Sequence, residues 1–133
     1  MADVLVDTSV WIEFFRKHEP WHEVVRELID AEQVCCVGLV LAELMQGAKS
    51  EKELAVLADF PQTFPFLPES VELWAKAGRL SFTLRRKGVT IGLGDCFLAE
   101  AAKAAGVRIA TLDAHFNLLQ DNIAIDLLPL PNP

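Results

Sequence analysis

Val4-Leu5-Val6 is an apolar run without polar alternation that stops at a carboxylate, Asp7. Similar runs, rich in Val, Leu and Ile, recur at residues 34–37, 107–111 and 123–128. A strand with one face in water alternates apolar and polar residues, whereas a strand covered on both faces does not. Segments of helical spacing separate the runs. Buried strands alternating with helices imply a parallel sheet with helices on both sides, which is the α/β class.

The local signals set the expected elements. A strand over residues 3–7 leads into a helix capped by Asp7 or Thr8 and reaching about Lys17, with Val10, Trp11, Phe14 and Phe15 on one side. Pro20 opens a second helix to about Glu32. After the second strand at 34–37, Leu39 to Gln46 reads as helical, with Gly47 as its stop. Ser50 and Glu53 have capping-box spacing for a helix to about Asp59. Residues 63–67 read as a third strand, held to a sheet edge by Pro61, Pro65 and Pro68.

The longest helical pattern covers 69–87, with Trp74, Ala77, Leu80 and Leu84 at helical spacing. Gly88, Gly92 and Gly94 mark a loop built for close approach. Asp95 then starts an alanine-rich helix that Gly106 stops. A fourth strand at 107–111, a short helix at 115–119 and a last strand at 123–128 follow. The proline-rich tail 129–133 is expected to fray. With no repeat or linker, residues 1–133 read as a single domain.

Of the 133 residues, 52% are hydrophobic and 23% charged, enough for a packed core. The apolar runs are too short to span a bilayer, and the amino terminus lacks a signal-peptide pattern. Cys35, Cys36 and Cys96 match no zinc or redox spacing. Buried, reduced thiols in a cytoplasmic protein with no membrane association are the expectation. The net charge of −7, from 12 basic and 19 acidic residues, excludes a broad basic nucleic-acid surface. It leaves room for a local basic patch and for carboxylates whose charge a cation offsets.

In an open parallel sheet, ligands bind beyond the carboxyl ends of the strands. Asp7 stands at the end of the first strand and Asp113 just past the fourth, while Asp95 follows the glycine-rich loop. Each of these three also fits a helix N-cap. Glu43 fits no cap, and its apolar neighbours Leu39, Val40, Leu41, Leu44 and Met45 leave its helix little solvent face. Two carboxylates about 4 Å apart repel by about 4 kcal/mol at an effective dielectric of 20. Four acids meeting at one edge therefore call for a proton or a cation. All-oxygen donors suit Mg2+ or Mn2+, which lowers the pKa of bound water and stabilises charge on a phosphoryl group. That is the chemistry of phosphodiester hydrolysis.

Asp7-Thr8-Ser9 after a short strand, Glu43 with Gly47 four residues on, and Asp95 opening an alanine-rich helix resemble the PIN domain. Thr111-Leu112-Asp113-Ala114-His115-Phe116 matches that family's T-x-D-x-x-F. The resemblance covers essentially the whole chain, and its size is most similar to the VapC ribonuclease toxins of toxin–antitoxin pairs. It implies a three-layer α/β/α fold with a parallel sheet of about five strands, order 3-2-1-4-5. It also implies Mg2+-dependent endonucleolytic cleavage of single-stranded or loop RNA. Asp7, Glu43, Asp95 and Asp113 would be the catalytic metal ligands, with Thr8, Ser9 and Thr111 supporting them. A cognate antitoxin would bind across the aromatic helices bearing Trp11, Phe14, Phe15 and Trp21, and a homodimer would use Trp74, Leu80 and Leu84. The same aromatic and leucine side chains also read as core.

Arg85-Arg86-Lys87 is the one basic run. It is either a solvated helix end or a phosphate-steering patch for RNA. His115 reads as a helix-surface residue, and His18 and His22 have no evident partner. A non-catalytic PIN-like interaction module is the competing reading, separated from a nuclease by an assay with and without EDTA. A receiver-like phosphoacceptor domain would need a lysine at the end of a late strand, and none stands there.

Overall fold

The computed structural model describes residues 2–133. Its centre is β1 (Val4–Val6), flanked by β2 (Val34–Cys35) and β3 (Arg108–Ala110) in the order β2-β1-β3, all parallel. Leu5 is the pivot of the register, paired with Cys35 on one side and Ile109 on the other. Successive strand residues point to opposite faces. Val4, Leu5 and Val6 are nevertheless all at 0% exposure, so both faces are covered, as the absence of polar alternation predicts.

Three strands stand where about five were expected. The expected third and fifth strands shrink to single parallel bridges, Cys36 with Phe66 and Ile109 with Leu127. They lie outside β2 and β3, so the outer positions exist as bridges and not as strands. Proline explains the third. Pro65 and Pro68 have no N–H for a ladder, and Thr63 belongs instead to the turn α5 (Phe60–Thr63), which carries Pro61 near its start. At the other edge Ile109 bonds Asp126 and Leu128, and Pro129 then ends the ladder.

The helices form two groups. α1 (Thr8–Phe15) packs against both α2 (Trp21–Asp30) and α3 (Gly38–Gln46), and α3 packs against α4 (Glu51–Ala58). The second group is α6 (Val71–Arg86), α7 (Leu93–Ala105) and α8 (His115–Gln120), in which α6 lies along α7. Serine caps start two of them: Ser50 Oγ accepts from Glu53 N and Ser70 Oγ from Leu73 N, both at 3.1 Å. Gly106 ends α7 with φ +68, the left-handed conformation that glycine adopts without strain.

Trp11 is buried and touches Phe14, Phe15, Phe60 and Phe64. Trp74 stacks on Phe97 at 3.8 Å and is partly buried, as is Leu80, while Leu84 is buried in the core. The tail does not fray as expected. Trp21 Nε1 donates to Pro131 O at 3.2 Å, and Leu130 packs against the core. All three cysteines are buried free thiols, and burial pushes Cys35 up to about 11 and Cys36 up to about 12. No helix among the described residues is long and apolar enough to cross a membrane.

Candidate active site

Asp7 leaves β1 at the sheet edge and occupies the N-cap position of α1, yet its side chain makes no cap hydrogen bond. Its backbone carbonyl accepts from Val10 N and Trp11 N instead. The carboxylate is thereby released for other work. Its Oδ2 accepts from Ser9 Oγ at 2.7 Å and from Thr111 Oγ1 at 2.8 Å. Thr111 Oγ1 accepts from Asp113 N at 3.0 Å, and Ser9 Oγ from Leu112 N at 3.0 Å. The two hydroxyls thus stitch the end of β1 to the segment leaving β3. Asp7 is 7% exposed, the one buried charged residue among those described.

Asp95 is not a cap either. Gly92 holds that position, and Asp95 lies in the first turn of α7, where the helix dipole favours an anion. Asp113 does act at a helix start, since its Oδ1 accepts from His115 N at 2.9 Å. Donor atoms of Asp95, Asp113 and His115 lie within 4.8 Å of one another. His115 Nδ1 is 3.4 Å from Asp95 Oδ2 and 3.5 Å from Asp113 Oδ1. Burial raises the Asp95 carboxyl above its ordinary pKa, and repulsion from Asp113 and Asp7 raises it further. His115 offsets part of the shift. The three aspartates therefore share one field.

Glu43 stands apart from that cluster. It is exposed, and α3 buries only Val40 and Leu44, so the expectation of a helix with little solvent face is not met. Of its apolar neighbours Ala42 is exposed, and Leu39, Leu41 and Met45 are only half-buried. Thr8 Oγ1 donates to Glu43 Oε1 at 2.9 Å, which places Glu43 one hydrogen bond from the residue next to Asp7. Arg85, Arg86 and Lys87 are exposed at the end of α6. Arg86 lies over the Phe82 ring at 5.7 Å, and Lys87 Nζ donates to Asn122 at 3.3 Å.

His115 is the residue that sequence reasoning missed. The sequence puts it near Asp113 and on the surface, and both hold; what it does not reveal is Asp95 at 3.4 Å. The available signal was its position two residues past Asp113, in the first turn of a helix that starts at the same sheet edge. His18 and His22 do have partners, Glu13 and Glu19, on the surface.

The donor set suits a hard divalent cation. Aspartate oxygens converge, Asp95 feels the charges of Asp113 and Asp7 on top of its burial, and one imidazole nitrogen admits Mn2+ as well as Mg2+.

A short parallel sheet with aspartates gathered beyond its carboxyl edge defines the class, and the chain belongs to the PIN domain family, whose model matches residues 4–122. Within that family it falls among the VapC ribonuclease toxins of VapBC toxin–antitoxin systems. Ribonuclease VapC11 of Mycobacterium tuberculosis is 30% identical over 122 residues, covering 87% of this chain and 90% of the relative. A tRNA(fMet)-specific endonuclease VapC of Salmonella typhimurium is 28% identical, over 84% and 86% of the two chains. The fold agrees with a chain of DNA-bound VapBC from Salmonella typhimurium at a TM-score of 0.73, with 24% identity over 96% and 98% of the chains.

Proposed function

We propose that the protein is a Mg2+- or Mn2+-dependent endoribonuclease toxin that cuts single-stranded or loop RNA and is neutralised by a cognate antitoxin. The convergence of Asp95 and Asp113, with Asp7 close enough to repel Asp95, carries this reading. Asp7, Asp95 and Asp113 would hold the cation, and Glu43 would join through the Thr8 hydrogen bond. When bound, the cation supplies Lewis-acid stabilisation of phosphoryl charge and a more acidic water.

The chain's own residues do the positioning. Ser9 and Thr111 fix Asp7 Oδ2, which restricts the carboxylate to one orientation. His115 holds Asp95 and Asp113 near each other. Arg85 and Arg86 draw phosphates toward this edge.

Loop RNA is favoured because one relative is named for transfer RNA, and Mycobacterium tuberculosis VapC20, of similar fold, is described as a sarcin–ricin loop cleaving toxin. An apolar groove of about 330 Å³ bounded by Trp11, Phe14, Phe15, Val56, Phe60 and Phe64 suits an antitoxin segment. A second groove, of about 250 Å³, continues past Ile12 and Phe15 to Thr8 and Glu43. A basic side chain entering there would reach Glu43. For a homodimer, exposed Phe82 and Leu93 would join the partly exposed Trp74 and Leu80 as contact residues in place of buried Leu84.

The test is cleavage of a structured RNA by purified protein in Mg2+, in EDTA, and with Asp95→Asn. Loss in EDTA and in the variant is expected. Full cleavage by Asp95→Asn would overturn the assignment, and no cleavage under any condition would favour an interaction module.

A further inference from the structure

The converging donor set contains one atom of a different kind. Asp95 and Asp113 offer oxygen, and His115 offers a ring nitrogen, all within 4.8 Å of one another. Nδ1 of His115 is 3.4 Å from Asp95 Oδ2 and 3.5 Å from Asp113 Oδ1. Both distances exceed the roughly 2.7–3.2 Å of an N–H···O bond, so the imidazole closes on neither carboxylate. Adjacent ligands of an octahedral ion with bonds of about 2.1 Å lie about 3 Å apart, and opposite ones about 4.2 Å. The set therefore has the size of part of one coordination shell.

Three separate elements deliver these atoms. Asp95 comes from the first turn of α7, Asp113 from the segment after β3, and His115 from the start of α8. The main-chain N–H of His115 donates to Asp113 Oδ1 at 2.9 Å, which anchors the residue beside Asp113 without using Nδ1. A proton on Nδ1 serves one oxygen at a time. A cation would satisfy the nitrogen and both oxygens together. The three side chains are part-exposed, which leaves an ion a path in from solvent. The other two histidines each face one carboxylate, Glu13 for His18 and Glu19 for His22, and complete no such set among the described residues.

We propose that His115 is a nitrogen ligand of this site and biases it toward a transition ion such as Mn2+ over Mg2+. The inference rests on the metal-dependent ribonuclease reading and narrows the cation that the site takes. Mg2+ dehydrates reluctantly and prefers oxygen, so water can fill the place of the imidazole at little cost. First-row transition ions gain more from an imidazole nitrogen. The two ions carry the same charge. An imidazole that only oriented or screened the carboxylates would act on both alike, whereas a ligand nitrogen acts on Mn2+ more.

The experiment is calorimetric titration of the full chain with Mn2+ and with Mg2+, without RNA, at about pH 7.5, where an ordinary imidazole is neutral. Wild type is compared with His115→Ala and with His115→Asn, which offers an amide oxygen. The His115 side chain is 51% exposed, and circular dichroism checks the fold of each variant. The ratio of the two affinities is the readout. Both variants are expected to lose about tenfold or more for Mn2+ and no more than about twofold for Mg2+, so the ratio falls. Electron spin-echo spectroscopy of the Mn2+-loaded protein is expected to show coupling to a bound imidazole nitrogen in the wild type and none in either variant. Equal loss for both ions, unchanged Mn2+ affinity, or no nitrogen coupling in the wild type overturns the proposal. In those cases both ions still bind and the nuclease reading stands. Failure of the wild type to bind either ion overturns the metal-dependent reading, and this inference with it.

Discussion

Thr111 donates its hydroxyl to Oδ2 of Asp7 at 2.8 Å, across 104 residues of sequence. The same oxygen of Thr111 accepts from Asp113 N, so one side chain fixes two acids at once. Removing that hydroxyl leaves a buried carboxylate short of a donor and a backbone N–H short of an acceptor. Thr111→Val is expected to cost about 1–3 kcal/mol in urea unfolding. Cleavage is expected to fall by about tenfold or more. Because Ser9 shares the acceptor, a double-mutant cycle with Ser9→Ala should be non-additive.

Metal binding should appear as stability. Mg2+ or Mn2+ binds the folded site and has no such site in the unfolded chain, so a cation at 100 times its Kd adds about 2.7 kcal/mol. The melting temperature is expected to rise on titration with either ion. Asp113→Asn should remove much of the gain, because Asp113 belongs to the converging donor set. A midpoint indifferent to both ions would count against the site.

Without metal, Asp95 works against the fold. Its carboxyl is raised by burial and by Asp113 and Asp7, so the folded state holds that proton more tightly than the unfolded chain does. Between the ordinary aspartate pKa and the raised one, stability from this group falls as pH rises, and the deficit is complete at neutral pH. In EDTA at neutral pH, Asp95→Asn is therefore expected to melt higher than the wild type by a few degrees. The difference should close as pH falls through the raised pKa. The same variant is expected to be inactive in Mg2+, which separates stability from function.

His115 lowers the Asp95 pKa that its neighbours raise. Replacing it with alanine should move the acid limb of the cleavage profile to higher pH. The side chain is half exposed, so unfolding stability should stay within about 0.5 kcal/mol. An unshifted limb would remove His115 from the site.

Thr8 and Glu43 offer a contrast, because their hydrogen bond is exposed. Thr8→Val is expected to leave stability within about 0.5 kcal/mol. If Glu43 assists the aspartates, cleavage should fall several-fold in Thr8→Val and further in Glu43→Gln.

Most of the architecture was legible before any coordinates. Unalternating strands, the serine cap at Ser50 and Gly106 as a helix stop are local features, set by burial and backbone chemistry near each residue. The outer strands were less so, since the apolar pattern at 63–67 and 123–128 does not reveal how few ladder bonds remain beside proline. The tail failed for a similar reason: its docking depends on Trp21, 110 residues away.

At the site, sequence alone led to the expectation of Asp7, Glu43, Asp95 and Asp113 at one sheet edge, because strand ends and helix starts in a parallel sheet share that edge. It could not tell a cap from a site residue. Only the tertiary structure decided that Asp7 uses its carboxylate to hold Ser9 and Thr111, that His115 joins Asp95 and Asp113, and that Glu43 accepts from Thr8. Periodicity records which face a residue occupies, whereas hydrogen-bond partners across the sheet depend on how β1, β3 and α7 are set against one another.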